Sequence, residues 1–151
     1  MKQSNNLSLL FLKQHIGSKM SKGLSPFGKW IDGKLVEAEE GNVKIEIEVR
    51  EEMCNPISNI HGGAIAGIMD EIMGIAVFSL GRENFYSTVN LSINYFATCN
   101  EGQKIIVSSK IIKPGKNIIN VECEIWDEQE SKLLAKGSSN LFKSSKEFSQ
   151  L

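Results

Sequence analysis

The residues of this chain best suited to chemistry fall in one short stretch: Asn55, His61, Gly62 and Gly63, followed by Asp70 and Glu71. Between Gly62 and Leu80 (GGAIAGIMDEIMGIAVFSL) those two carboxylates are the only charges, and apolar residues occur all round a helical period. That pattern predicts a buried helix. The first N–H groups of a helix lack intrahelical acceptors and lie at the positive end of its dipole, so they can stabilise an oxyanion. Gly62 and Gly63 would let a ligand approach that backbone closely; taken as an isolated pair, they would make only a tight entry turn. An ionised carboxylate in an apolar helix costs several kcal/mol unless a partner or a site compensates it, so Asp70 is expected to be buried and functional. Its roles would be general base toward water or nucleophile, the plain alternative being a hydrogen-bond anchor. A helical wheel puts Asp70 on one stripe with Gly63, Gly67 and Gly74, where missing side chains leave room. Glu71 lies about 100° round the helix, off that stripe, and ranks second for the same work.

Asn55 could donate its amide to a carbonyl oxygen, or simply start a turn before Pro56. His61 reads equally as a general acid or as a satisfied residue at the helix entry. His15 and His61 lack partner ligands at usable intervals, so no metal set emerges. The three cysteines, Cys54, Cys99 and Cys123, are odd in number and form no CxxC pair. That argues against a disulfide framework and for a reducing cytoplasm. Seventeen Lys and Arg against eighteen Asp and Glu give no surface bias toward nucleic acid or anionic membrane. The apolar run from Leu7 to Leu12 is too short for a signal peptide or a transmembrane span.

These residues need elements to hold them. Apolar spacing from Leu7 to Met20 predicts a short amphipathic helix, ended by Gly23 and by Ser25-Pro26-Phe27-Gly28. Two strands follow, Gly33 to Glu40 and Asn42 to Arg50; Val43, Ile45, Ile47 and Val49 alternate with charged residues and mark the core face. After the buried helix come four more strands: Tyr86 to Phe96, Gln103 to Lys113, Asn117 to Trp126 and Lys132 to Phe142. Turn residues separate them, which favours an antiparallel meander. A lone apolar helix must be wrapped by a sheet to be buried. The expected fold is α+β, a curved antiparallel sheet around one long helix with an N-terminal helix beside it. Its expected parts are a helix and linker over 1–24, the main domain over 25–143, and a disordered tail over 144–151.

In this arrangement the chain resembles the hotdog thioesterase superfamily, in particular the phenylacetate-degradation type of acyl-CoA thioesterase. The likeness rests on an Asn six residues before the His, the His-Gly-Gly at the helix start and a carboxylate nine residues after the His. It continues in Thr88-Val89-Asn90-Leu91-Ser92-Ile93-Asn94-Tyr95, in Lys113-Pro114-Gly115-Lys116 and in Leu133-Leu134-Ala135-Lys136-Gly137. The family pattern has Pro soon after the strand Tyr, whereas this chain has Phe96-Ala97-Thr98-Cys99. The resemblance implies hydrolysis of an acyl-CoA thioester with no cofactor, Asp70 as the acting carboxylate and Thr88 helping to hold the attacking water. It further implies that His61 orients its loop and that Lys113, Gly115, Lys116 and Asn117 lie along coenzyme A. Tyr95 and Phe96 would line the same channel. Other hotdog chemistry, hydration or dehydration of an acyl thioester, and a non-catalytic acyl-thioester binding module are the alternatives.

One distance adds an expectation about assembly. Asp70 is eight residues beyond Gly62, roughly 12 Å along a helix axis, too far for both to serve one carbonyl easily. A second, antiparallel copy would bring Asp70 of one chain opposite Gly62 and Asn55 of the other. The resemblance implies the same, a homodimer or a dimer of dimers (homotetramer).

Overall fold

The structure, a computed structural model, describes residues 5–22 and 25–150. Gly23, expected to help end the first helix, and Leu151 of the expected tail lie outside the described residues, as does the start of the N-terminal segment. The order of elements is α1 (Leu7–Gln14), α2 (Pro26–Ile31), β1 (Lys34–Glu39), β2 (Asn42–Glu48), α3 (Gly62–Phe78), β3 (Asn84–Tyr95), β4 (Lys104–Pro114), β5 (Ile118–Asp127) and β6 (Leu133–Glu147). Among the described residues no helix is long and apolar enough to cross a membrane.

The six strands form one antiparallel sheet in the order β1-β2-β4-β5-β6-β3. Val43, Ile45, Ile47 and Val49 point into the core as their alternation requires. Irregularities in register interrupt β1, β3, β4 and the β5–β6 pair, and such bulges increase local bend and twist. The curved sheet packs against α3 through Ile65, Ile68, Met69, Ile72, Met73, Ala76 and Val77, all buried. Gly137 leaves room for Met69 where the helix passes β6: a side chain there would meet Met69 Sδ at 2.8 Å. The helix is therefore one-sided rather than apolar on a wholly buried surface, and its other flank carries Gly63, Gly67, Asp70 and Gly74.

Three features depart from the sequence-based expectation. The last four strands are not a simple meander: β4, β5 and β6 are consecutive neighbours, but β3 pairs with β6 at the far edge. Hydrogen bonds from Phe96 N and Ala97 N to Leu134 O, and from Ile60 N to Cys99 O, carry the β3–β4 connection across the end of the sheet. Next, α1 stops at Gln14, because Gly17 adopts φ +86° and donates its N–H to Leu35 O, drawing the chain toward β1. Finally, Ser25-Pro26 opens α2 instead of merely ending a helix: Ser25 Oγ accepts from Gly28 N at 3.2 Å and Pro26 occupies the first turn. At the other end, β6 continues past Lys143 to Glu147, where the tail was expected; Asn84 pairs with Glu147 and its Nδ2 donates to Ser144 O.

The C-terminus of α3 is tied to the rest of the fold through Ser79, which is fully buried. Its hydroxyl accepts from Gly41 N at 2.8 Å and donates to Ala76 O at 2.6 Å, while its carbonyl accepts from Asn6 Nδ2 at 2.8 Å. Asn6 in turn caps α1 by accepting from Leu9 N. Ser79→Ala would strand the buried Gly41 N–H and is expected to lower stability by about 1–3 kcal/mol, read as a lower urea midpoint at unchanged m-value. A midpoint equal to that of the unsubstituted protein would remove Ser79 from this anchoring role.

Candidate active site

The loop before α3 is built around Asn55. Its Oδ1 accepts from Ile57 N and Asn59 N, both at 3.1 Å, and its backbone N–H donates to Asn59 O. With Oδ1 consumed by the loop, the amide Nδ2 is the group left for a ligand. His61 is the N-cap of α3: its Nδ1 accepts from Gly63 N at 2.8 Å, so Nδ1 carries a lone pair and not a proton. Through this bond His61 holds the helix entry in place. It also alters the expectation for Gly63, whose N–H is already engaged; a side chain there would press against Nδ1 at 3.0 Å. Among the described residues the Gly62 N–H has no acceptor. It points from the positive end of a helix of 17 residues. Tyr95, at the end of β3, donates its hydroxyl to Gly62 O at 2.9 Å and so packs its ring beside this entry.

Asp70 is exposed in the single chain, not buried as the sequence suggested. The reason is the one-sided packing of α3: β3 is an edge strand, and among the described residues no strand lies beyond it to cover the helix flank. Thr88 Oγ1 donates to Asp70 Oδ1 at 2.6 Å, joining helix to edge strand. Glu71 has the opposite fate. It turns toward α2, where its Oε1 lies so close to Gly28 that a side chain there would overlap it at 2.5 Å. Burial pushes its carboxyl above the ordinary carboxylate range, Ser25 offsets this in part by hydrogen bonding, and the neighbouring Asp70 charge adds to it.

The hairpin between β4 and β5 holds Lys113, Gly115, Lys116 and Asn117. Gly115 is required there, because a Cβ would lie 2.2 Å from Ile118 O. Two residues that sequence reading passed over fasten this turn. Arg82 donates to Pro114 O at 2.9 Å, and Tyr86 donates its hydroxyl to Lys116 O at 2.8 Å. Their only sequence signal was an Arg and a Tyr flanking the entry to β3, too common to interpret. Both lysines are exposed.

The expected site residues thus form two groups within one chain. Asn55, His61, Gly62, Gly63 and Tyr95 gather at the N-terminal end of α3, with Phe96, 61% exposed, just beyond. Asp70 and Thr88 lie further along, toward the end of the sheet where Tyr86 holds the Lys113–Asn117 turn. About 12 Å of helix axis separates Gly62 from Asp70. The first group offers donors for a carbonyl oxygen and the second offers a carboxylate with an attached hydroxyl. Among the described residues no group of His, Cys, Asp and Glu is arranged to hold a metal ion.

Residues 58–134 match a family model described as the Thioesterase superfamily. The chain is 30% identical over 103 residues to acyl-coenzyme A thioesterase 13 of Homo sapiens, covering 68% of this chain and 74% of that protein. It superposes with TM-score 0.79 on the E. coli PaaI protein from the phenylacetic acid degradation operon, at 15% identity, covering 95% of this chain and 99% of that one. With a Streptococcus mutans protein crystallised bound to acetyl CoA, the TM-score is 0.71 and the identity 23%, covering 77% of this chain and 91% of that one. At such identities these two structures speak for the fold alone, which is the hotdog fold. The matched family model and the similarity to the human protein together show that this chain belongs to the thioesterase superfamily.

Proposed function

We propose that this protein hydrolyses acyl-coenzyme A thioesters to the free acid and coenzyme A. The observation that carries the proposal is the Asp70–Thr88 pair on the open flank of α3, matched by an uncommitted Gly62 N–H at the start of the same helix. In this reading the thioester oxygen accepts from Gly62 N and Asn55 Nδ2, which stabilise the negative charge that develops as the carbonyl is attacked. Thr88 donates a hydrogen bond to the ionised Asp70 at Oδ1, leaving its own oxygen lone pairs to accept from a water. The other oxygen of Asp70 takes a proton from that water as it adds to the carbonyl carbon. Collapse of the tetrahedral intermediate expels the coenzyme A thiolate, which takes the proton held by Asp70 and leaves as the thiol, returning Asp70 to its ionised form. The human relative is named as an acyl-coenzyme A thioesterase, and the Streptococcus mutans neighbour was crystallised with acetyl CoA; both support the substrate class. The exposed turn of Lys113 and Lys116 suits the phosphates of coenzyme A.

The site is proposed to be shared by two copies of the chain. The N–H donors and the carboxylate are too far apart on one helix, and β3 is an edge strand with an unpaired side. Beside it lie Asp70 and exposed apolar side chains, among them Val89 at 65% exposure. A two-fold axis along that edge would set Asp70 and Thr88 of one protomer against Gly62 and Asn55 of its partner, twice over. The main domain over 25–143 is then the catalytic unit, as a homodimer or a dimer of such dimers.

Thiol release from a panel of acyl-CoAs is expected to rise in proportion to enzyme, and no release from any of them would refute hydrolysis. Asp70→Asn is expected to leave folding and acyl-CoA binding largely intact while lowering kcat by at least about a hundredfold. Unchanged kcat in that variant would take the base role away from Asp70. Sharing of the site is tested by unfolding and refolding an Asp70→Asn chain together with an Asn55→Ala chain, each inactive alone. Random pairing makes about half the dimers mixed, each with one intact site, so about a quarter of the original activity should return. Mixed dimers that form without recovering activity would show that the catalytic groups come from one chain.

A further inference from the structure

A second feature of α3 is left unexplained by this mechanism. Between α3 and the N-terminal segment lies an apolar cavity of about 170 Å³, with Leu12, Met20, Gly28, Gly74, Ile75 and Phe78 among its walls. Its wall includes a cluster of rings in which Phe78 meets Phe11 and Phe148 edge-on, at centroid distances of 6.4 and 5.3 Å. Glu71 is the acidic side chain in its wall. Two glycines shape it. Gly28 lets the Glu71 carboxyl lie flat against α2, and Gly74 has no atom within 4 Å of where its Cβ would stand. Gly74 is one turn beyond Asp70 on the same stripe of the helix, whereas the stripe on the other side of Asp70 is covered, with Phe27 pressed over Gly67. From a carbonyl held at Asp70, the open way along the helix leads over Gly74 into the cavity.

We infer that this cavity receives the acyl group of the thioester, and that it selects a compact chain whose far end carries a hydroxyl, donated to the Glu71 carboxyl. The inference rests on the proposed hydrolysis and assigns the acyl end of that same site. Size follows from volume: a dry cavity of about 150 Å³ accommodates benzene, so this one takes about six carbons and rejects a long fatty chain. Polarity follows from Glu71, since a purely hydrocarbon chain would cover a carboxyl and leave its oxygens without new partners. The raised proton affinity of Glu71 agrees with a group already partly withdrawn from water. Glu71 is thus a specificity residue and Asp70 the reacting one, on adjacent positions of one helix.

The test compares acetyl-CoA, hexanoyl-CoA, 6-hydroxyhexanoyl-CoA and palmitoyl-CoA. The unsubstituted protein should favour 6-hydroxyhexanoyl-CoA, by about tenfold in kcat/KM over hexanoyl-CoA. Gly74→Leu, which fills the entrance, should lower kcat/KM for both six-carbon substrates by at least about tenfold while acetyl-CoA stays within about twofold. Met20→Trp, narrowing the cavity from the opposite wall, should do the same and serves if Gly74→Leu does not fold. Glu71→Met should abolish the preference for the hydroxylated chain. Identical chain-length profiles in the folded variants and the unsubstituted protein would overturn the acyl pocket while leaving hydrolysis standing. A methyl NMR titration with 1,6-hexanediol reads the cavity without turnover. Shifts at Leu12 and Ile75 that vanish in Gly74→Leu support it even if no acyl-CoA is hydrolysed, and their absence overturns it.

Discussion

The structure depends on burying one face of α3 in the concave side of the sheet. Ile65, Ile68, Met69, Ile72, Met73, Ala76 and Val77 recur at the three- and four-residue spacing of a single stripe, and together they make the core that the strands enclose. Close approach at Gly137 draws the helix onto the sheet, and Ser79 ties its far end to the β1–β2 turn and to α1. At roughly 25 cal/mol per Å² of apolar surface removed from water, this face holds the domain together. What it leaves outward is consequential: the N-terminal N–H of Gly62 and the flank with Asp70 are held rigidly by a helix that cannot shift without unpacking the core.

The open edge follows from the same arrangement. Because β3 crosses to the far side of β6, the sheet of the described residues ends beside Asp70 with no further strand to cover it. An edge strand offers unpaired backbone groups, and here it also carries exposed Val89, Phe85 and Tyr95. The proposed two-fold pairing would satisfy the edge and bring the separated donors and carboxylate together in one step. The interaction completing the fold would then be the one completing the site.

Asp70 and Glu71 show how far one helical step separates two chemical roles. Asp70 meets a threonine hydroxyl on an exposed flank, while Glu71 is pressed against α2 and loses part of its hydration. Residues next to each other in sequence face about 100° apart, so one carboxylate meets the open edge and the other the N-terminal cavity. The helix therefore offers a solvated acid and a partly desolvated one to opposite ends of the same proposed substrate.

Much of this was legible in the residues. Alternation in β2, the turn residues between strands, and the His-Gly-Gly opening of α3 follow from local rules of period, capping and backbone freedom, and the fold class follows from burying one apolar helix in strands. The helix at Pro26 has its own signal in Ser25-Pro26, an N-cap followed by a first-turn proline, but the same residue types also serve to end a preceding helix. The exposure of Asp70, the pairing of β3 with β6, the engagement of the Gly63 N–H by His61 and the cavity beside Glu71 could be seen only in three dimensions. Periodicity says which residues share a face, but it does not say what covers that face; this depends on strand order and on connections whose contacts lie far apart along the chain. For that reason the sequence alone determined which groups could act, and the tertiary structure decided which of them are open to a substrate.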